Sequence, residues 1–118
     1  MMNLDNMNLF QLASRRLQWL SDRQKTVSEN IANADTAGYR ARDVESFESY
    51  LSNAETSAVL PSAEVDEVET TWAEAISGNN VVMEEQILHA ADTAGQYKLA
   101  SNLYRKAHEL MLTVAGSR

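Results

Sequence analysis

Two histidines and several carboxylates are the residues whose chemistry best suits metal binding or proton transfer. His89 and His108 lie 19 residues apart on one predicted helix. That spacing is about 28 Å of helix rise, so one metal ion cannot bridge them within a chain. Glu84, Glu85 and the acidic run 64–69 offer oxygen ligands, but they lack the spacing and turn glycine of a calcium loop. A solvated acidic surface explains these carboxylates better, and no metal or other cofactor is predicted.

Nucleophilic and phosphate chemistry have no recognisable motif in this chain. Serine is frequent, but there is no Gly-x-Ser-x-Gly elbow and no glycine-rich phosphate loop. The absence of cysteine excludes disulfides, thiolate catalysis and Cys-based zinc sites. Trp19 and Trp72 are interpreted as packing residues, because aromatic residues are too few for base stacking. The sequence therefore predicts no catalytic residue and no enzyme.

Composition limits the elements that position these residues. A chain of 118 residues, 44% hydrophobic, with four Gly and one Pro, predicts one small, mainly helical domain. Residues 43–85 hold eleven Asp and Glu and no Lys or Arg, whereas both flanking segments carry a slight excess of positive charge. Because phosphate repels an acidic surface, no nucleic-acid partner is expected.

Neither a membrane span nor a cleaved leader is expected. No stretch approaches the roughly 20 apolar residues that cross a bilayer, so no lipid-spanning segment is predicted. Residues 1–10 lack a basic segment followed by an apolar run. If the protein is exported, we expect a route that does not cleave it.

The first predicted element is an amphipathic helix over about residues 9–33. Apolar residues recur at alternating steps of three and four, as in the a and d positions of heptads. The helix is expected to end before Gly38, which can adopt a left-handed conformation. The predicted stripe consists of Phe10, Ala13, Leu17, Leu20, Gln24, Val27 and Ile31.

A second long helix is predicted over about residues 82–115. Asn80 is a candidate N-cap, and Glu84 and Glu85 in the first turn suit the helix dipole. Small residues in its first half favour close approach of another helix. The predicted stripe consists of Ile87, Ala91, Ala94, Tyr97, Ala100, Leu103, Ala107, Leu110 and Val114.

The middle of the chain has weaker periodicity. The apolar residues of 44–51 fit a short strand, a short helix or an extended arm, and Pro61 with the acidic run favours an extended stretch. Trp72 and Ile76 are four residues apart and fit one helical turn. The chain therefore divides into a first helix and turn (1–38), an irregular acidic middle (39–80) and a second helix (81–118), forming one domain.

The expected fold is mainly α, with the two terminal helices paired as an antiparallel coiled coil. One such pair leaves apolar surface exposed, which favours self-association. Apolar residues of the two helices are expected to meet within or between subunits, and this packing surface comprises Phe10, Leu17, Leu20, Val27, Ile31, Leu99, Leu103, Leu110 and Val114.

Residues 27–44, VSENIANADTAGYRARDV, resemble the N-terminal signature of bacterial flagellar axial proteins, which are the rod, hook and hook-associated components. Five positions carry the match: Asn30, Asn33, Asp35, Gly38 and Tyr39. The continuation through residue 44 is most similar to the FlgB family of the proximal rod. At Ala37 the family usually has Pro, which would preset the turn before Gly38.

A second stretch, GNNVVMEEQ at residues 78–86, resembles the motif that opens the C-terminal helix of the small rod proteins. Its matching positions are Gly78, Asn79, Asn80 and Glu85. The two motifs together cover both ends of the chain and leave its middle unmatched.

The resemblance implies a structural subunit of the basal-body rod that polymerises through its terminal helices into a torque-transmitting shaft. The implied location is the periplasmic rod of the flagellum, reached by flagellum-specific export without a cleaved signal peptide. The implied partners are copies of itself, other flagellar rod proteins, and the base of the rod near the membrane ring and export gate. The rival hypothesis is a cytoplasmic coiled-coil adaptor or secretion chaperone, which would be a folded dimer when dilute.

Overall fold

Two long helices lie along the long axis of the molecule, whose extent is 67 Å. The computed structural model describes residues 9–54, 60–69 and 78–116. In chain order its elements are α1 (Leu9–Ala32), β1 (Arg42–Val44), α2 (Phe47–Ala54), β2 (Val65–Glu67) and α3 (Met83–Gly116). Both predicted terminal helices are confirmed, and the fold is mainly helical.

Contacts along α1 and α3 define their relative direction. Near the end of α1, the side chain of Asn30 bonds to Gln86 at the start of α3. Near the start of α1, the ring of Phe10 lies 4.6 Å from that of Tyr104. The helices therefore run antiparallel. Coiled-coil packing of their seam stays a prediction.

The seam between the helices uses different residue types on its two sides. From α1 it buries Ala13, Leu20 and Val27, seven residues apart, which confirms this part of the first stripe. From α3 it buries Gln86, Thr93, Ala100 and Ala107, also seven residues apart.

The expectation that the two stripes meet within one chain is therefore wrong for most positions of α3, and only Ala100 and Ala107 of that stripe face α1. The side facing α1 consists of short or polar side chains, which let the two helices approach closely. The larger apolar residues of α3 are exposed. The predicted positions that are exposed are Ile87, Ala91, Ala94, Tyr97, Leu103, Leu110 and Val114.

The middle of the chain supplies regular elements and much of the core. Strands β1 and β2 pair antiparallel, with Val44 opposite Val65. Helix α2 buries Tyr50 completely, in a cluster with Leu20 of α1 and Ala100 of α3. Burying a side chain as large as Leu20 contributes about 1.5–3 kcal/mol. The described middle is thus more ordered than expected, because α2 covers the centre of the helix pair.

Two further predictions concern a helical turn in the middle of the chain and the absence of a membrane span. The helical turn predicted for Trp72 and Ile76 lies outside the described residues. Among the helices that are described, none has the length and apolar content required to cross a membrane.

Candidate functional site: a polar clasp and an exposed helix face

Side chains from both sequence motifs converge where α1 ends and α3 begins. We call this group the polar clasp, and it consists of Asn30, Tyr39, Asn79, Asn80 and Gln86. Asn30 is fully buried, because its position on α1 faces the loop after the helix and the first turn of α3. The clasp thus joins residues that are distant in sequence at one end of the helix pair.

Every hydrogen-bonding group of the Asn30 side chain is used. Its amide donates to the carbonyl of Arg42 at 2.8 Å and to Oε1 of Gln86 at 2.9 Å. Its carbonyl accepts bonds from the Tyr39 hydroxyl and the Arg42 backbone N–H, both at 3.0 Å. A buried amide satisfied at four points fixes the position of every group it contacts.

Asn79 satisfies carbonyl groups beyond the end of α1. Its Nδ2 donates to the carbonyls of Asn33 at 2.8 Å and Thr36 at 2.7 Å. Its Oδ1 accepts the backbone N–H of Val81 at 2.8 Å. Both carbonyls belong to the turn that follows α1, so Asn79 ties the second motif to this turn.

Asn80 does not cap α3, and that prediction is wrong. The first helical bond runs from the Gln86 N–H to the carbonyl of Val82. The residue at the N-cap position of α3 is therefore Val82, two residues after Asn80. The Asn80 side chain instead accepts the N–H of Ala41 at 2.6 Å and donates to the carbonyl of Val68 at 3.0 Å. Its role is to hold the strand region against the start of α3.

The two motif glycines lie against each other. Gly38 has φ of +75° and Gly78 has φ of +85°. A bond from the Tyr39 N–H to the Thr36 carbonyl, at 3.2 Å, closes a turn with Gly38 at its third position. A Cβ atom on Gly78 would lie 3.6 Å from Cα of Gly38. The left-handed backbone at both positions therefore favours glycine.

The remaining motif residues stand outside the clasp. Asp35 is exposed, and Asn33 bonds back to the carbonyl of Glu29 through its side chain. Glu85 lies 3.6 Å from Nε2 of His89 on the next turn. Gln86 is the last residue of the second motif but is not one of its matching positions. Its burial follows from the helix register, which the sequence stripe misplaced.

An ionic cluster that sequence reasoning missed lines one flank of the seam. The Arg23 guanidinium contacts Asp43 at 3.3 Å, Nδ1 of His89 at 3.2 Å and Asp92 at 3.9 Å. Arg16 bonds to Gln96 on the same flank. These side chains tie α1 to both β1 and α3.

Arg16 also covers the aromatic part of the core. Its guanidinium lies 4.8 Å from the centre of the Trp19 ring and 4.7 Å from that of Phe47. Burial lowers the pKa of Arg16, with a smaller effect from the charge of Arg23. A cation over aromatic faces contributes packing as well as charge.

Two tyrosines have perturbed acidity. Burial raises the pKa of Tyr50 to about 12, helped by the negative charge of Asp22. The Tyr50 hydroxyl donates to the carbonyl of Pro61 at 2.8 Å. Burial also raises the pKa of Tyr39, the clasp residue. Both phenols are structural donors.

The outward side of α3 carries an apolar surface that we call the leucine face. It consists of Leu88, Leu99, Leu103, Leu110 and Val114, which are 39–73% exposed. Four of these five were predicted as packing residues, and Leu110 and Val114 also border the open groove that Phe10 lines at the end of the α1–α3 seam. Their contact between subunits stays a prediction.

The predicted packing residues of α1 have a different environment. Leu20 and Val27 are buried inside the chain, whereas Leu17 and Ile31 are half-buried. Phe10 packs on Tyr104 and also borders an open apolar groove of about 420 Å³ at the end of α3. Leu20 and Val27 therefore belong to the core of a single subunit, and contact of Phe10, Leu17 and Ile31 between subunits stays a prediction.

Known proteins are similar to this chain in its N-terminal region and over most of its length. The profile described as flagella basal body rod protein matches residues 10–40, which cover α1 except its first residue and the turn through Gly38. The flagellar basal body rod protein FlgB of Agrobacterium fabrum (strain C58) is 33% identical, over 93% of this chain and 94% of that protein. The chain therefore belongs to the flagellar basal-body rod proteins, which are structural components of the flagellum. Within that class it is a member of the FlgB family, as the two sequence motifs predicted.

Proposed function

We propose that this chain polymerises through its terminal helices to form part of the proximal rod, the shaft that transmits torque for motility. The observation that carries the proposal is the leucine face. Helix α3 of this rod-family chain exposes ten large apolar side chains, of which five form the leucine face, and Leu88, Leu99 and Val114 are each at least 70% exposed. A contiguous exposed apolar surface of this kind is typical of an interaction site.

Burial of the leucine face provides the driving force for assembly. Each leucine removed from water contributes about 1.5–3 kcal/mol before the costs of association are subtracted. The polar clasp and the ionic cluster hold α1 and α3 as one rigid pair, so little ordering of this face remains to oppose binding. Mechanically, the clasp makes the two terminal helices move as a single body under torque.

The proposal includes the partners and the location of the protein. The partners are copies of itself and other flagellar rod proteins, at the base of the rod near the membrane ring and export gate. The protein would reach the periplasmic rod through flagellar export without a cleaved signal peptide. Its role is packing, with no catalytic step, no cofactor and no nucleic-acid partner.

Genetic deletion in the host tests the role in the rod. We expect a deletion strain to lose the rod, hook, filament and swimming, and the intact gene to restore them. Normal basal bodies in the deletion strain would refute the rod assignment. The cytoplasmic adaptor would then lead, and it predicts a folded dimer when the purified protein is dilute, whereas a rod subunit predicts a monomer.

Substitution on the leucine face tests the mode of assembly. We expect the double variant Leu99→Ser, Leu103→Ser to keep its helical circular dichroism spectrum but to fail to restore swimming. The matched control is Leu112→Ser, which changes a leucine that is 60% exposed on α3 outside the leucine face. Full swimming by the double variant, with its rods intact in electron micrographs, would refute assembly through this face.

A further inference from the structure

Helix α3 exposes apolar side chains on two sides that point away from each other. Leu88, Leu99 and Leu103 of the leucine face are 39–70% exposed. Met83 and Tyr97 are 36% and 42% exposed, and neither belongs to that face. Met83 precedes Leu88 by five residues and Tyr97 precedes Leu103 by six, so each pair is separated by about 120–140° around the helix. The exposed apolar residues therefore form two surfaces.

The second surface includes a hollow of about 340 Å³ in one flank of the α1–α3 seam. We call this side of the seam the open flank, and its hollow is lined by Ser21, Gln24, Thr93, Ala94 and Tyr97. On α1, Trp19 donates its ring N–H to the carbonyl of Glu45, just before α2, at 2.8 Å. Gln24 follows Trp19 by five residues and so lies on a different side of α1. The strand region and α2 therefore lie against the other flank.

Polymerisation sets a condition on what the leucine face can contact. If the leucine face of one copy met the leucine face of another, the same surface would be used on both sides and the contact would close as a dimer. A chain of identical subunits requires contact between two different surfaces, so that each copy can have a neighbour on either side. The open flank meets this condition, because it lies on a different side of α3 from the leucine face.

The two surfaces also match in the spacing of their residues. Leu88 and Leu99 are eleven residues apart, and so are Met83 and Ala94 on the side of the open flank. Eleven residues make about three helical turns, so each pair lies along one side of α3. The two pairs are offset by five residues, which is about 7.5 Å of rise. A parallel copy shifted by this offset places Leu88 beside Met83 and Leu99 beside Ala94 together.

Resting on the proposed function, we infer that Leu88, Leu99 and Leu103 of one copy pack on the open flank of the next copy, with the two α3 helices parallel and shifted by five residues. Leu99 enters the hollow beside Ala94, whose small side chain leaves room for it. Leu103 then lies at the level of the Tyr97 ring. Because the shift is short compared with the 34 residues of α3, the two helices overlap along most of their length.

Disulfide cross-linking tests both the surfaces and the shift, since the chain has no cysteine of its own. The double variant Ala94→Cys, Leu99→Cys is expressed in the deletion strain, and isolated basal bodies are run on a non-reducing gel. We expect a ladder of multimers that collapses to monomer on reduction, and no dimer from either single variant. The pair Met83→Cys, Leu88→Cys, which shares the same offset, should give the same ladder.

The matched control is Ala94→Cys, Ser52→Cys, which moves one cysteine to an exposed position on α2 and should give no ladder. Dimers from Leu99→Cys alone would indicate that the leucine face meets itself and would overturn the inference. A ladder from the first pair without one from the second would overturn the parallel shift.

The outcomes also separate this contact from the rod assignment. Variant protein that is present in the basal bodies of swimming cells without any cross-link would overturn the inference, while the rod assignment would stand. Absence of the intact wild-type protein from basal bodies would instead refute the proposed function.

Exchanging the sizes of two residues gives a second readout if the cysteine variants do not enter basal bodies. Ala94→Leu alone fills the hollow and Leu99→Ala alone leaves it empty, so we expect each to lose most of its swimming. Both should keep the helical circular dichroism spectrum, because both positions are exposed. The control Ser52→Leu, which adds similar bulk on α2, should swim normally.

The combined variant Ala94→Leu, Leu99→Ala returns one large and one small side chain to every contact between copies. We expect it to swim better than either single variant, because the new leucine packs against the new alanine. A combined variant no better than the poorer single variant would overturn the inference.

Discussion

The side-chain amide of Asn30 donates to Oε1 of Gln86 at 2.9 Å, and both residues are buried. Asn30 belongs to the motif that ends α1, and Gln86 belongs to the motif that begins α3. The bond therefore turns two separate sequence motifs into one structural unit. The rest of the clasp lies at the same end of the helix pair.

Replacing Asn30 by Asp should destabilise the subunit. The carboxylate can still accept bonds from Tyr39 and Arg42, but it cannot donate to the Arg42 carbonyl or to Gln86. We expect Asn30→Asp to lower the unfolding free energy by about 3 kcal/mol, because it buries a negative charge and removes the two hydrogen bonds that the Asn30 amide donates. Urea unfolding of the purified protein measures this change. The control Asn102→Asp, at an exposed site, should stay within about 0.5 kcal/mol of wild type. Equal effects at both sites would contradict the role of the clasp.

Introducing the proline usual in the family should stabilise the turn after α1. Ala37 is the second residue of the turn closed by Tyr39 and Thr36, and Gly38 follows at φ of +75°. Proline suits the second position of such a turn, so Ala37→Pro should raise the unfolding free energy by about 0.4–1 kcal/mol. Gly38→Ala should lower it, because an L side chain is strained at that φ. Thermal unfolding of both variants checks this, and destabilisation by the proline would refute the turn assignment.

Alkaline pH should destabilise the protein through Tyr50. The folded state holds the pKa of Tyr50 at about 12, above the value of about 10 for an unfolded tyrosine. Between these values the unfolded chain loses the proton and the folded chain keeps it, so the unfolding free energy falls as pH rises. Its stabilising contribution is complete below pH about 10 and is lost towards pH about 12.

Urea unfolding across this range, in the wild type and in Tyr50→Phe, measures the effect. The variant should show a smaller decline with pH, because one titrating group has been removed. Tyr39→Phe serves as the comparison, since the pKa of Tyr39 is also raised. An unchanged pH slope in Tyr50→Phe would show that Tyr50 titrates normally in the folded protein.

Charges placed on Leu20 and Leu103 should disrupt assembly for different reasons. Leu20 is completely buried in the core, whereas Leu103 is 39% exposed on the leucine face. Leu20→Asp should unfold the subunit, because a buried unpaired charge costs several kcal/mol. Leu103→Asp should leave the monomer folded but prevent rod formation. Circular dichroism and motility together separate the two, and an unfolded Leu103→Asp monomer would contradict its outward position.

The amino-acid sequence alone was enough to predict the two terminal helices, their approximate bounds and the family. Heptad spacing correctly predicted the buried side of α1, which carries Ala13, Leu20 and Val27, because on this helix the buried residues are also apolar residues of the predicted stripe. Gly38 was also identifiable, since few other residues adopt a left-handed turn. The motif residues Asn30 and Asn79 were found through family resemblance, although their hydrogen-bond partners were not.

The side of α3 that faces inward could not be predicted from the sequence and is seen in the folded chain. Hydrophobicity favoured the leucines, yet Gln86 and Thr93 are buried and Leu99 is exposed. Burial within one subunit depends on how closely the two helix backbones approach, and short or polar side chains on α3 allow a closer approach than leucines would. The same limit applies to Asn80, whose bonds to Ala41 and Val68 depend on contacts between segments distant in sequence. A single helix pattern contains no information about such contacts, so the fold alone assigns them.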